Sequence, residues 1–243
     1  MSNSHLLSRS IRSIVNDNFA TVRVFKYFGI DFCCGGAVNL GDACRLAGAD
    51  TYSVLEALDN IKSEEQSVIP FDSWPTDLLI DYVLKIHHRN IRRRGPQLLL
   101  DIERVAHSHG DRHPELLKLR DHFAFSLEDL ENHLQKEEQI LFPYCYKLFD
   151  QAERGLKHEK MHCGSVANPI RVMFREHNDE GTRYKYIRSL LNNFQAPDDA
   201  CPSYRLMLQD LEAFMDALFE HIHLENNILF PRFEELERRC VEE

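Results

Sequence analysis

The sequence predicts an all-α protein in which a small N-terminal helical domain precedes a four-helix bundle. Beyond residue 76, four long stretches keep apolar side chains at steps of three and four, and no stretch alternates as a strand does. The string H-x-x-x-E-x-x-I-L-F-P also occurs twice, at His133–Pro143 and at His221–Pro231. Two copies of one helical string in separate stretches indicate a bundle built by duplication.

The N-terminal stretch reads as a small set of helices. Apolar residues at helical spacing predict one helix from about residue 8 to residue 28, and Gly29 follows as a stop. Residues 30–36 read Ile-Asp-Phe-Cys-Cys-Gly-Gly, which is typical of a tight turn. Asn39 and Asp50 are suited to cap two further short helices.

A linker is predicted at residues 67–76, because Pro70 and Pro75 interrupt the periodicity there. This boundary assigns residues 1–66 to the small helical domain and residues 77–243 to the bundle. The bundle helices are expected at about 77–105, with a kink or a break at Gly95-Pro96, from 114 to beyond 142, at 169–194 and from 203 onward.

Composition and charge exclude several classes of function. Lysine and arginine number 29 against 39 aspartate and glutamate, and the net charge of −10 argues against nucleic-acid binding. The first residues lack the apolar core of a signal peptide, and no apolar run approaches the ~18 residues of a membrane span. Seven cysteines, odd in number and scattered, do not look like a disulfide framework. We therefore expect a cytoplasmic protein that binds neither nucleic acid nor membrane.

The repeated His and Glu lie one helical turn apart, within the apolar stripe of their helices. On the fourth helix this stripe runs through Leu218, His221, Glu225 and Ile228. Two glutamates in a bundle core require protons, cations or metal, since an unpartnered buried carboxylate costs several kcal/mol. Imidazole with carboxylate is a ligand set for iron, manganese or zinc, and the residues alone do not choose among these metals.

The first and third helices each add a histidine before a copy of the string. The first helix offers His87 and His88. We prefer His88 because it precedes His177 of the third helix by almost the same number of residues as separates the two copies of the string. The two halves then supply a pseudo-twofold set, in which each metal takes two imidazoles and both carboxylates bridge. The predicted ligands are His88, His133, Glu137, His177, His221 and Glu225.

These residues resemble hemerythrin-like domains, and the whole chain is similar to the RIC (repair of iron centres) family of iron–sulfur cluster repair di-iron proteins. The resemblance rests on the ligand strings, on Glu176–Gly181 and on the Asp31–Gly36 turn, and it spans nearly the whole chain. It implies two non-haem iron ions, with an oxo or hydroxo bridge, at the six positions above. It also implies partners: damaged iron–sulfur proteins or a cluster-assembly scaffold, with NO or O₂ as small ligands.

Four functional interpretations are open at this point. The first is repair of clusters damaged by nitrosative or oxidative stress, with iron supplied by a labile di-iron centre. The second is an enzyme that reduces nitric oxide at that centre, the third an O₂- or NO-binding sensor, and the fourth a bundle without a functional metal. The thiols of the N-terminal domain favour the first over the third, because a gas carrier has no evident need of them. The oligomeric state is also open, a homodimer included.

Four further side chains carry expectations of their own. Cys33 and Cys34 are either small buried residues of the turn or reactive thiols that deliver to a partner, and adjacent cysteines rarely pair with each other. Glu176 precedes a predicted ligand and either hydrogen-bonds a ligand or lines an iron path. Glu138 follows a ligand and is expected to face solvent.

Overall fold

The chain forms two compact units, and the computed structural model describes residues 3–63, 69–157, 161 and 164–241. One unit consists of Met1–Leu79 and Ile222–Arg232, and the other consists of Ile80–His221 and Phe233–Glu243.

The predicted all-α fold class is confirmed. Across the described residues the regular structure is helical, apart from an isolated antiparallel bridge between Ser10 and Asn39. The predicted domain and linker boundaries stay predictions, and residues 64–68 lie outside the described part of the chain.

The N-terminal helices are short. Single turns of 3₁₀ helix occur at Phe19–Thr21 and Phe71–Ser73. The α-helices are α1 (Asn3–Ser8), α2 (Ile11–Asp17), α3 (Val22–Tyr27), α4 (Leu40–Ala47) and α5 (Thr51–Ser63).

The single helix predicted from residue 8 to residue 28 is wrong, and Asn18 is one place where the structure interrupts it. Asn18 has an extended backbone (φ −153°, ψ 99°), and its side-chain oxygen accepts a hydrogen bond from the Ala20 N–H. A short amide side chain that satisfies a backbone N–H in this way competes with continuation of the helix. Apolar periodicity does not detect that competition, since the spacing continues through Asn18.

The predicted helix boundaries around α3, α4 and α5 are confirmed. Asn39 caps α4 by accepting a hydrogen bond from the Asp42 N–H at 2.9 Å, and Asp50 caps α5 through the Ser53 N–H at 2.8 Å. Gly29 follows α3 with φ +68°, a left-handed conformation that glycine adopts without steric cost.

Four long helical segments follow, at residues 76–109, 115–153, 167–190 and 202–241. Their α-helical parts are α6 (Thr76–Tyr82), α7 (Arg89–His109), α8 (Glu115–Lys136), α9 (Phe142–Glu153), α10 (Ala167–Leu190), α11 (Pro202–Leu224) and α12 (Phe230–Val241). Among the described helices, none has the length and hydropathy that crossing a bilayer requires.

The break expected at Gly95-Pro96 does not occur, because α7 runs through both residues. A Cβ atom on Gly95 would lie 2.5 Å from Cδ2 of Leu127 on α8. The glycine therefore allows α7 and α8 to approach each other closely, and it does not terminate α7. Pro96 is exposed on the same helix.

An aromatic cluster joins three of the bundle helices. Phe123 of α8 contacts Phe214 of α11 edge to face, with ring centroids 5.4 Å apart, and Tyr184 of α10 stacks on Phe214 at 6.4 Å. All three rings are buried. Burial of this apolar surface, at about 25 cal/mol per Å², stabilises the bundle independently of any metal.

Candidate metal centre

Three of the long segments contain a turn of π-helix at the predicted ligands. The first π turn is Val83–His88, which ends at His88. The second is Glu137–Leu141 and the third is Glu225–Leu229, so each begins at the glutamate of one repeat copy. Single π turns inside α-helices are frequent at functional sites.

The repeated string itself contains a cause for the second and third π turns. The Phe142 N–H donates to the Glu137 carbonyl, and the Phe230 N–H donates to the Glu225 carbonyl, in each case five residues back. A proline follows each phenylalanine. Proline has no backbone N–H to donate, and in a regular α-helix its ring clashes with the carbonyl group four residues earlier. The wider turn accommodates that proline, and it begins at the glutamate that the site requires.

Two groups of buried side chains bring potential ligand atoms within 4.8 Å of one another. Both groups contain Glu137 and Glu225, and each adds two histidines. The groups are His88, Glu137, His221 and Glu225, and His133, Glu137, His177 and Glu225.

Glu137 has the geometry of a bridging carboxylate. Its Oε2 lies 3.4 Å from Nε2 of His88, and its Oε1 lies 3.4 Å from Nε2 of His133. One oxygen thus faces each group, and the carboxylate is fully buried. Glu225 is also fully buried and lies one turn after His221 on a continuous helix.

The spacing of the donor atoms fits metal coordination. Nε2 of His133 and Nε2 of His177 lie 3.0 Å apart. Two imidazole nitrogens at about 2.1 Å from one ion, at a right angle, would be about 3.0 Å apart. Four buried imidazoles with two buried carboxylates form a donor set for a first-row transition metal, and the same charges would be costly in an apolar core without one.

A further carboxylate orients one histidine in each group. Oε1 of Glu138 lies 2.9 Å from Nδ1 of His88, and Oε2 of Glu176 lies 2.9 Å from Nδ1 of His133. Each of these glutamates directly neighbours one predicted ligand in sequence and bonds a ligand of another helix. A hydrogen bond at Nδ1 fixes the ring and the tautomer that presents Nε2 to a metal.

Both of these glutamates are held as anions. The hydrogen bond from His133 and the ion pair with Lys136 lower the pKa of Glu176 to about 2, against the opposing effect of burial. Burial raises the pKa of Glu138, but hydrogen bonds from Arg92 and His88 bring it below its ordinary value. The expectation that Glu138 faces solvent is therefore wrong, because its carboxylate is held by hydrogen bonds to His88 and Arg92.

The structure separates the two adjacent histidines of the first helix. His88 belongs to a group of potential ligands, whereas His87 belongs to neither. His87 is buried, and its Nε2 lies 3.5 Å from Oε1 of Glu220. Its ring stacks on that of His221, with centroids 5.6 Å apart. Ligation by His88 stays a prediction, and the geometry favours it over His87.

A third group of potential metal ligands lies in the predicted tight turn and contains Asp31, Cys33 and Cys34. Oδ1 of Asp31 accepts hydrogen bonds from the N–H groups of Cys34 at 2.9 Å and Gly35 at 3.1 Å, which closes the turn. Cys33 is buried and Cys34 is partly exposed.

Three side chains of the fourth long segment, missed in the sequence interpretation, hold this turn. Nδ1 of His223 lies 3.2 Å from the carbonyl oxygen of Phe32. The side-chain amides of Asn226 and Asn227 donate to the carbonyl of Cys33 at 3.3 Å and 3.1 Å. We call His223, Asn226 and Asn227 the turn clamp.

The two copies of the repeated string contained a signal for the turn clamp. At the positions of His223, Asn226 and Asn227, the first copy has Gln135, Glu138 and Gln139. These differences are confined to positions outside the shared His, Glu and apolar residues. A residue that changes between copies of a duplicated string marks a contact that only one copy makes.

Comparison with known families defines the class of protein. Residues 79–233 match the hemerythrin HHE cation-binding domain, and residues 7–62 match the family described as a domain of unknown function (DUF542), ScdA_N. The first match covers more than half of the chain, so the buried His and Glu groups belong to a hemerythrin-like cation-binding domain.

Full-length relatives narrow this class. A Musicola paradisiaca protein named iron-sulfur cluster repair protein YtfE is 34% identical over 209 residues, which covers 86% of this chain and 88% of the relative. A Yersinia pseudotuberculosis protein of the same name is 34% identical over 211 residues, with coverage of 86% and 89%. A Haemophilus influenzae protein named probable iron-sulfur cluster repair protein is 34% identical over 212 residues, again with 86% and 89% coverage. The chain belongs to this hemerythrin-like family of iron–sulfur cluster repair proteins, as the sequence predicted.

Proposed function

We propose that this protein is a cytoplasmic di-iron protein that supplies iron for the repair of iron–sulfur clusters damaged by nitrosative or oxidative stress. The observation that carries the proposal is the pair of ligand groups that share two carboxylates. Damaged iron–sulfur proteins as clients are inferred from the names of the relatives, which are iron–sulfur cluster repair proteins. A scaffold that assembles clusters is the alternative client that we propose. The proposed iron ligands are His88, His133, Glu137, His177, His221 and Glu225.

The donor set supports iron that can be released. Imidazole and carboxylate suit ferrous iron, and they hold it less permanently than a shell of thiolates would. Six side chains shared between two ions leave coordination positions for water or for an incoming acceptor. Iron is here the cargo, and the residues of the chain bind, bridge and orient it.

The carboxylates that orient the ligands support the same proposal. His88 is buried, its partner Glu138 is about one quarter exposed, and Arg92 beyond it is about one third exposed. A continuous series of hydrogen bonds therefore runs from a ligand to the protein surface. Neutralising or displacing such a carboxylate would weaken the hold of the ligand on a metal.

Reduction of nitric oxide is the second candidate, and the same six ligands would serve it. The two functions differ in whether iron leaves the protein or stays through repeated turnover. The decisive experiment therefore follows iron and nitric oxide in the same sample.

We would load the full-length protein with ⁵⁷Fe under anaerobic conditions and mix it with an iron–sulfur protein whose cluster nitric oxide has destroyed. The mixture would also contain a chemical reductant, as the electron source for nitric oxide reduction, and inorganic sulfide, as the sulfur source for the cluster. The readouts are ⁵⁷Fe recovered in the acceptor, recovery of its cluster absorption, and consumption of added nitric oxide. Glu137→Gln removes a proposed bridge, whereas Glu128→Gln changes an exposed glutamate on α8 and is the matched control.

Supply of iron predicts about two irons per chain and ⁵⁷Fe in the restored cluster. It also predicts loss of both in Glu137→Gln and retention of both in Glu128→Gln. If the loaded protein consumes nitric oxide catalytically while the acceptor gains no ⁵⁷Fe, iron supply is wrong and the reductase function is favoured. Stoichiometric zinc, or little metal, after careful anaerobic purification would contradict a di-iron centre.

A further inference from the structure

We propose that Asp31, Cys33 and Cys34 form a second metal site, separate from the bundle ligands, for one divalent ion such as Fe²⁺ or Zn²⁺. The three side chains offer one carboxylate oxygen and two sulfur atoms, all within 4.8 Å of one another. This site does not depend on the proposed function, because it uses none of the histidines and glutamates of the bundle.

Two of the three donor separations match the edges of a tetrahedron, and the third lies within 4.8 Å. Sγ of Cys33 lies 3.6 Å from Sγ of Cys34 and 3.6 Å from Oδ1 of Asp31. With metal–sulfur bonds of about 2.3 Å and a metal–oxygen bond of about 2.1 Å, a tetrahedral ion separates two sulfurs by about 3.8 Å and a sulfur from an oxygen by about 3.6 Å. The two separations that involve Cys33 would thus change by only a few tenths of an ångström around an ion.

The backbone of the turn fixes the carboxylate in this place. Oδ1 of Asp31 accepts the N–H groups of Cys34 and Gly35, so the side chain is already turned toward the thiols. The turn therefore presents its donors before an ion arrives.

The turn clamp supplies rigidity from outside the turn. Asn226 and Asn227 hold the Cys33 carbonyl, and His223 holds the Phe32 carbonyl. Gly36 allows this contact, because a Cβ there would lie 2.3 Å from Oδ1 of Asn227. A site whose donors are held by a surrounding layer of hydrogen bonds loses less entropy on binding a metal.

Two thiolates and one carboxylate select the class of ion. Thiolate donors favour borderline or soft ions that accept tetrahedral coordination, which is the behaviour of Zn²⁺ and of high-spin Fe²⁺ and disfavours Mg²⁺ and Ca²⁺. Binding releases one proton from each thiol to solvent, and no electron is transferred. The fourth coordination position is left for water or a ligand from a partner, and Cys34 is partly exposed beside it.

Cobalt(II) is the probe that separates this site from the bundle. The full-length, iron-loaded protein would be titrated anaerobically with Co²⁺, because a cobalt–thiolate bond gives a charge-transfer absorption that histidine and carboxylate ligands do not give. We expect one equivalent of Co²⁺ with that absorption and an unchanged iron content. Cys33→Ser and Cys34→Ser should each weaken Co²⁺ binding about 100-fold or more. This loss exceeds the roughly 10–100-fold typical of removing a residue that only hydrogen-bonds a metal ligand.

Matched variants and competition complete the test. Cys201→Ser, which changes a thiol outside the group, should retain the absorption, and Asp31→Asn should weaken binding while leaving two thiolate bonds. Zn²⁺ should displace cobalt at near-stoichiometric amounts, whereas Fe²⁺, which binds a given donor set more weakly than Co²⁺, should do so only in excess. The proposal is overturned if the wild type gives no thiolate absorption, if the absorption survives in Cys33→Ser/Cys34→Ser, or if neither ion displaces cobalt. Circular dichroism of each variant establishes that a loss is not unfolding.

Discussion

Replacement of the proposed bridging carboxylate, Glu137→Leu, should separate the stability of the fold from metal binding. The carboxylate is fully buried, and one oxygen faces each ligand group. Leucine has a similar volume and no charge. We expect the metal-free variant to be at least as stable as the metal-free wild type, and we expect it to retain far less iron.

The magnitude follows from two opposing terms. A protonated imidazole 3.4 Å from the carboxylate contributes an attraction of about 5 kcal/mol at an effective dielectric of about 20. The penalty for removing a carboxylate from water is also several kcal/mol per ion, so the two nearly cancel in the metal-free protein. Replacing a buried ion pair as a whole by well-packed apolar residues is typically neutral or stabilising by about 1–4 kcal/mol. The same range is expected for Glu137→Leu, because an imidazole left without its carboxylate partner can release its proton and leave no charge in the core. For a chain of this size, 1 kcal/mol corresponds to about 2–4 °C in Tm.

The assay is thermal unfolding of both proteins after chelation, with iron content measured on the untreated samples. Glu128→Leu on the exposed face of α8 is the control, and its metal-free Tm and its iron content should match those of the wild type. The reasoning fails if Glu137→Leu keeps two irons per chain. It also fails if the metal-free variant is destabilised by several kcal/mol, which would show that the carboxylate stabilises the fold and does not serve a metal.

Other predictions address the residues around the two sites. Glu138→Ala and Glu176→Ala should each lower iron affinity by about 10–100-fold without abolishing binding, as measured by competition with a chelator, and unchanged affinity would contradict their hydrogen bonds to ligands. Gly36→Ala should lower the free energy of unfolding, measured in urea, by about 1–3 kcal/mol, because its Cβ would clash with Asn227. The double variant Gly36→Ala/Asn227→Ala should lose less stability than the sum of the losses in the two single variants. Burial raises the pKa of Glu180, so the folded protein binds this proton more tightly than the unfolded chain, and stability should fall as pH rises above about 4.5. Glu180→Gln should flatten that part of the pH profile in urea unfolding, and an unaltered slope would contradict the assignment.

Much of the site was predictable because the same string of His, Glu and apolar residues occurs twice in the chain. The spacing of His133 and Glu137, repeated at His221 and Glu225, predicts two inward-facing pairs on two helices. A buried carboxylate in an apolar stripe requires a proton, a cation or a metal, and the two further histidines in register favour the metal. The structure groups these four residues with His88 and His177, as that argument expected.

The sequence also contained features whose meaning became clear only in three dimensions. The proline of each I-L-F-P string explains why a π turn begins at Glu137 and at Glu225, although periodicity alone predicts unbroken α-helix. Gly95-Pro96 looks like a helix break, yet Gly95 lies where α7 approaches Leu127. The local signal at Gly95 did not produce a helix break, because the glycine is needed for contact with a neighbouring helix.

The sequence by itself determined the helical class, the family and the residue types of the proposed metal ligands, because helical periodicity, short motifs and the repeated string can all be recognised along the chain. Tertiary structure alone decided the outer contacts. It placed Glu138 on His88 rather than in solvent, and it brought Asn227 to the Cys33 carbonyl. Such contacts join residues that are far apart in the chain. Which of these residues come into contact depends on how the helices pack, and local periodicity does not encode that packing.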